Sequence, residues 1–557
     1  MLLASCSETS QPAPSPSPAV TAKTSTGSVG PVAITENLTP SAFDFKTDKT
    51  FIFGLAQEPV AFNDQVGLDP ANLTDHSSLL IVRQLYETLF QFTPASMEAK
   101  PGNFVRSVTV SPDGLSYALK LFRGIRFSDG SPLDARAIRF NFERWSKEGV
   151  YHKGDFQTWR NYFGGFPGDI LDKAEVDEDG ISLNLKLKRK TASLYQILAM
   201  PQFGIVSPNS FDKDGYFIRP IGSGPYAAEK PVRGEVHYIV LKANPNYGVE
   251  RDPKTVPPPL LNSLVVTVLR PSQDGLAELK RGTISATDKL RPEIIPEARN
   301  DSSLNLLYRD SLNIAFLTLN QSRPPFNQRE VREAFAYAIN VRGLVSKLYN
   351  SLGQPAALFL PPTALTAEPA ASPYPYDPER AKQLMNTAGY SSNNPLSLDL
   401  WVMPVPRSYY PDPKKIAEAI RSDLAAIGVT VNIRSDKQWP SFREDRDQGK
   451  LTFFMNGWQG NHGDPDEFLG YFFGQTKTED GYDNPALQEL VKRGREATEL
   501  AERRAIYQEA QKLIVRDFAI IPLAYVQSVV AVRPEIKGYI AHPSGLESWA
   551  GVSFATK

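Results

Sequence analysis

The stretch SLDLWVMPVPRSYYPDPKKIAEAIRSDLAAIGVTVNIRSDKQWPSFREDRDQGKLTFFMNGW, residues 397–458, decides the fold class. Leu398, Leu400 and Val402 alternate with polar neighbours, the period of a strand. Asp412 then stands before Pro413, a capping carboxylate followed by the residue suited to a first helical position. Ile416, Ile420, Leu424 and Ile427 recur three or four apart, and Gly428 supplies the stop. VTVNI reads as the next strand, WPSFREDRDQGK as a short helix and LTFFMNGW as a third strand. This β-α-β-α-β order is the grammar of an open α/β sheet with mainly parallel strands. In such sheets ligands sit beyond the carboxyl ends of the strands. Two loops therefore face one crevice: PVPRSYYPDP, with Arg407, Tyr409 and Tyr410, and GWQGNHGDPDEF, residues 457–468, with Trp458, Gly460, Asn461 and His462.

The second loop is rich in chemistry, and three readings of it compete. Asp464 and Asp466 resemble the paired carboxylates of a glycosidase, but Asp-Pro-Asp also starts helices, with Asp464 as cap, and that role is preferred. His462, Asp464, Asp466 and Glu467 are competent metal ligands. Pro465 and Phe468, however, break an EF-hand spacing, and no HExxH pair exists among the five histidines. No metal and no cofactor are expected. The segment IGSGPY lacks the first glycine of a nucleophile elbow around Ser223, and no phosphate-binding glycine motif is present. What remains is a cleft holding an arginine, aromatics and polar loops, the inventory of a binding site and not of an enzyme.

Outside this region the chain changes texture. HSSLLIVRQLYETLFQF has helical spacing, and SVTVSPDGLSYALKL and AEVDEDGISLNLKLK read as hairpins turning at Asp113-Gly114 and Asp179-Gly180. At 557 residues more than one lobe is expected. Lys+Arg 61 against Asp+Glu 62, without a basic stripe, argues against nucleic acid. No apolar run reaches the roughly 18 residues of a membrane span. The single cysteine, Cys6 in MLLASCSETS, excludes an internal disulfide. Residues 7–49 are dominated by Ser, Thr, Pro and Ala, a composition for an extended tether. Leu3-Ala4-Ser5-Cys6 looks like a bacterial lipobox, which makes residues 1–6 the remnant of a lipoprotein signal peptide and Cys6 the lipidated residue. The charged start and apolar core of such a peptide are missing, so the sequence is expected to begin inside it.

Several blocks, taken in order, resemble the peptide/nickel-binding family (family 5) of solute-binding proteins of bacterial ABC importers, nearest to its dipeptide and oligopeptide binders. They are LDPA with YETLF, SPDGLSYALKLFRGIRFSDGSPLDARAIRFNFER, IGSGPY, LNQSRPPFNQREVREAFAYAIN, YDPERAKQLMNTAGY, GWQGNHGDPDEFL and PLAYVQSVVAVRPEIKGY. The resemblance implies an α/β periplasmic binding protein-like fold (type II, cluster C), with two main lobes, a hinge and an extra β-rich subdomain. Lobe I would comprise 50–81, 218–312 and 520–557, the inserted β-rich subdomain 82–217, and lobe II 313–519. It implies a monomer on the periplasmic or cell-surface face of a bacterial membrane, lipid-anchored, which captures a short peptide or peptide-like solute and delivers it to an ABC permease with its ATPase subunits. A nickel or metallophore complex is the alternative ligand on the same fold, and a hydrolase the less favoured reading.

By the same resemblance Arg407 inherits the pairing with a terminal carboxylate, a role that a guanidinium fork suits. Trp458 and Tyr409 would line the cavity, and backbone groups near Gly222 and Ser223 would complete it. Where peptide binders place an aspartate for the α-ammonium group, three residues after the tryptophan, this chain has Asn461, followed by His462. Asn461, with Gly460, keeps a hydrogen-bond acceptor but lacks the charge.

Overall fold

The structure, a computed structural model, describes residues 50–62, 67–147, 153–165, 168–231, 237–251, 256–364, 373–405 and 407–555. Cys6 and the 7–49 segment lie outside the described residues.

Two large sheets organise these residues. The first has seven strands in the order Asn305–Arg309, Ser528–Val532, Ala286–Thr287, Phe51–Leu55, Ser263–Val268, Tyr238–Ala243 and Tyr226–Ala228. Its central strand, FIFGL, is buried at all five positions, and its period-two alternation feeds both faces. Phe51, Phe53 and Leu55 join Leu79, Leu80, Val82, Leu85 and Trp549 on one side, while Ile52 joins Leu276, Leu279 and Ile284 on the other. The helix His76–Leu85 thus belongs wholly to this sheet's core. The boundary expected at 81/82 would cut through it, and a hydrogen-bonded helix moves as one piece.

The second sheet has six strands in the order Gly353–Pro355, Ile520–Val526, Asn313–Leu319, Phe453–Gln459, Ser397–Trp401 and Thr430–Arg434. The β-α-β-α-β reading holds: Ser397–Trp401 is parallel to both Thr430–Arg434 and Phe453–Gln459. Asp412 accepts the Lys415 N–H to start helix Pro413–Ala425, and Asp377 likewise caps Pro378–Thr387 with Arg380 N–H; such caps contribute about 1 kcal/mol each. Gly389 and Gly428 have φ of 91° and 83°, the left-handed stop that favours glycine. The sheet as a whole is mixed rather than mainly parallel, because Asn313–Leu319 runs antiparallel to both its neighbours.

Among the described residues the chain crosses between these sheets twice, at Asp310–Leu312 and at Gln527. Strand Ile520–Val526, expected in lobe I, instead pairs with Asn313–Leu319 in the second sheet. All seven of its residues are buried, and an apolar run of this kind is legible as a core strand but carries no mark of which sheet it enters. At the crossing, Asn313 Nδ2 donates to the Val526 carbonyl at 2.8 Å and the Val526 N–H donates to Asn313 Oδ1 at 2.9 Å. Gln527 Nε2 donates to Asp310 Oδ1 at 3.1 Å, tying one crossing strand to the other.

The two expected hairpins form one antiparallel sheet in the order Val105–Val110, Ser116–Leu121, Ser182–Leu187 and Leu171–Val176. Tyr117, Leu119, Leu121, Leu183, Leu185 and Leu187 point to one face, where Ile138, Phe142 and Trp145 of helix Ala135–Trp145 cover them.

Candidate binding cleft

A cavity of about 700 Å³ opens between the two large sheets. Its walls are loops at the carboxyl ends of strands that run parallel to a neighbour, where α/β sheets place ligands. On the second sheet these are Arg407, Ser408 and Pro411 after Ser397–Trp401, and Gln459 to Asn461 at the end of Phe453–Gln459. On the first sheet, Gln57 follows Phe51–Leu55 and Asp288 follows Ala286–Thr287, joined by His76, Arg309 and the 543–546 turn. The crossing residues Asp310, Asn313 and Gln527 form part of the lining as well.

Arg407 sits in a tight turn held by reciprocal bonds: its N–H donates to the Tyr410 carbonyl at 3.2 Å, and Tyr410 N–H donates to its carbonyl at 2.9 Å. Tyr410 anchors the turn from below, its hydroxyl donating to the Phe316 carbonyl at 2.8 Å. The Arg407 side chain is exposed, with its guanidinium 5.0 Å from the Trp439 ring centroid, and among the described residues it has no ion-pair partner. Tyr409 is buried against Gly457 and does not line the cavity. A Cβ at Gly457 would lie 2.4 Å from its ring, so this glycine makes room for the tyrosine.

Trp458 also lies off the wall. Strand alternation turns it to the face opposite Gly457 and Gln459, where it stacks on Tyr471 at 4.4 Å and meets Phe472 edge-on. Gly222 and Ser223 are likewise absent from the cavity. Gly222 packs so close to helix His76–Leu85 that a Cβ there would fall 2.1 Å from the Leu85 carbonyl.

Asn461 and His462 are shaped by Glu467, whose carboxylate accepts the backbone N–H groups of Asn461 (2.6 Å), His462 (3.1 Å) and Gly463 (3.2 Å). It also accepts Asn461 Nδ2 at 2.8 Å and, at 3.3 Å, the hydroxyl of Tyr162, on helix Gln157–Phe163 of the hairpin part, between the two hairpins. Asn461 Nδ2 donates to Tyr162 as well, at 3.2 Å. Its amide hydrogens are therefore committed, and Oδ1 is the atom left for a solute. His462 is buried, its ring edge-on to Tyr162 at 5.1 Å and its Nδ1 accepting the Asp464 N–H.

The two aspartates have structural partners. Asp464 caps helix Pro465–Phe473 through Asp466 N–H and is held by Arg503 in two bonds of 2.7 and 2.8 Å. Burial alone would raise this carboxyl, but Arg503 outweighs it and holds it below the usual range. Asp466 bonds Arg495 at 2.9 and 3.1 Å, yet there burial prevails and its carboxyl is raised. Neither reaches the cavity wall.

The first-sheet wall is built by residues other than the expected Gly222 and Ser223. Arg309 binds Glu547 through two bonds of 2.6 and 3.0 Å. Asp288 lies 3.7 Å from both Arg309 Nη1 and His76 Nε2. Burial would push Asp288 up, but His76 and Arg309 prevail and hold it low. His76, the Asp288–Arg309 pair and Glu547 come from three segments more than 200 positions apart in the chain, and no local motif joins them.

Residues 98–480 match the model of the bacterial extracellular solute-binding proteins, family 5 (middle region). The chain is 28% identical over 528 residues to heme-binding protein A of Haemophilus influenzae, covering 91% of this chain and 92% of that one. It is 27% identical over 525 residues to the dipeptide-binding protein of Escherichia coli, covering 91% and 94%. The structure of HbpA2 from Haemophilus parasuis superposes with a TM-score of 0.81 at 26% identity, covering 91% of this chain and all of that one.

Proposed function

This chain belongs to the bacterial extracellular solute-binding proteins of family 5, and from that membership we propose that it captures a short peptide or peptide-like solute between its two sheets and hands it to an ABC permease. The observation that carries this reading is Arg407, a guanidinium on the cavity wall without an ion-pair partner among the described residues. An unpaired cation of this kind attracts a carboxylate, and the attraction strengthens when lobe closure excludes water. The anionic end of the solute lies on Arg407, and its polar groups meet Asn461 Oδ1 and the Gly460 backbone. Tyr409, Tyr410 and Glu467 hold those loops, and Trp458 and His462 support them from behind. The likeness to a dipeptide-binding protein over 91% of the chain supports the ligand class. The same reading makes the protein a monomer anchored through a lipid on Cys6, with residues 7–49 as tether. Labelling with a clickable fatty acid in a bacterial host tests the anchor, and Cys6→Ser is expected to abolish the label.

Titration calorimetry of the protein with glycyl-leucine tests the site. Arg407→Ala is expected to weaken binding by about ten-fold to a hundred-fold, the worth of one charge-assisted pair. Amidating the dipeptide's carboxylate is expected to remove the difference between variant and wild type. Equal affinity of both proteins for the free dipeptide would refute the assignment.

A further inference from the structure

Resting on that reading, one part of the cavity is still unassigned: what meets the positive end of a zwitterionic solute. On the second sheet the position is neutral, because Asn461 carries no charge and its amide hydrogens are bound to Glu467 and Tyr162. On the first sheet the charges do not cancel. Arg309 and Glu547 form a closed pair, with their side chains 4% and 0% exposed. Glu547 is further occupied by the Tyr539 hydroxyl and the His542 N–H. Asp288, 15% exposed and on the cavity wall, is the acid left over. Arg309 supplies one guanidinium against the two carboxylates of Glu547 and Asp288, so acid outnumbers guanidinium on this wall of the cavity. Asp310, the other carboxylate on the wall, is exposed at the crossing and accepts the Gln527 amide.

We infer that Asp288 is the specificity-determining residue for the cationic end of the solute, so that the cleft selects zwitterions held between Asp288 on the first sheet and Arg407 on the second. A carboxylate in a partly enclosed site attracts an ammonium group more strongly than in water, and lobe closure would bring the two opposite charges onto the two ends of one ligand. His76, the nearest neighbour of Asp288 that is open to the cavity, tunes this field: a fixed positive charge there cancels it.

The test is calorimetry of the full chain with three probes: glycyl-leucine, its N-acetyl form and its C-terminal amide. In the wild type, N-acetylation is expected to weaken binding by at least about ten-fold, the loss of one charge-assisted contact. Asp288→Asn is expected to lose a similar factor for the free dipeptide and to bind the N-acetyl form as the wild type does, so that the gap closes. His76→Lys is expected to narrow the same gap with Asp288 left in place, and it decides the matter if Asp288→Asn fails to fold by circular dichroism. A wild-type gap retained in a folded Asp288→Asn overturns the inference while leaving the Arg407 reading intact. Loss of discrimination against the C-terminal amide, with the N-acetyl gap unchanged, points the same way. Failure of the wild type to bind any of the three probes removes the peptide reading and this inference together.

Discussion

Replacing Tyr162 by Phe isolates the contact that joins the hairpin part to the loop of Asn461. The substitution deletes one hydroxyl and with it two bonds, Tyr162 to Glu467 at 3.3 Å and Asn461 to Tyr162 at 3.2 Å. Glu467 keeps its three backbone N–H donors and the Asn461 amide, so the loop keeps its shape. The ring also keeps its edge contact with His462. Burial pushes the Tyr162 hydroxyl well up, so it is the neutral, donating form that is lost. Two long hydrogen bonds contribute about 1 to 2 kcal/mol together, a factor of about 5 to 30 in an equilibrium. If they favour apposition of the two lobes, the apparent affinity for a captured dipeptide falls by up to that factor, because binding is diluted by the fraction of molecules in the competent state. Calorimetry with glycyl-leucine measures the loss, and small-angle scattering of the unliganded variant is expected to show a larger radius of gyration. Unchanged affinity together with an unchanged scattering profile would refute the reasoning.

Three further outcomes follow from buried groups. His542 donates from Nε2 to the Ser96 carbonyl and accepts the Ser544 N–H at Nδ1, and burial lowers its pKa to about 4. A depressed histidine favours the neutral form in the fold, so its contribution is complete above about pH 6.5 and is lost as pH falls toward 4, for about 3 kcal/mol in all. Thermal melts of wild type and His542→Gln across that range are expected to converge at acid pH by that amount, and parallel curves would contradict it. Arg503→Met leaves the Asp464 carboxylate buried without its partner and is expected to cost about 3 to 5 kcal/mol in urea unfolding; a near-neutral effect would remove the structural role given to Asp464. Gly457→Ala drives a Cβ into the Tyr409 ring at 2.4 Å and is expected to cost about 1 to 3 kcal/mol in the same assay.

The residues themselves explain which parts of this protein were legible in its sequence. Helices Pro378–Thr387 and Pro413–Ala425 were readable because the signals are local: an Asp-Pro start, apolar residues three or four apart and a glycine stop. The same locality placed Arg407, Gly460 and Asn461 on the crevice, since each follows a strand whose direction the β-α-β-α-β order dictates. Trp458 was misplaced because neighbouring strand residues point to opposite faces, and a register error of one position exchanges wall and core. Tyr409 was misplaced because its ring enters the space left by Gly457, a residue almost 50 positions away in the sequence. Asp288, His76 and Arg309 could not be found, because they meet only when strands distant in sequence pair in the first sheet. The sheet membership of Ile520–Val526 was hidden for a similar reason, its seven buried residues suiting either core.

The central claim, that the cleft captures a small peptide-like solute by its carboxylate on Arg407, is tested most directly by native mass spectrometry of the protein purified without refolding from a peptide-rich medium. The account predicts a bound solute that fragments into amino acids, is retained by the wild type and is depleted from Arg407→Ala. A solute without amino-acid fragments, or a peptide load identical in the two proteins, would contradict it.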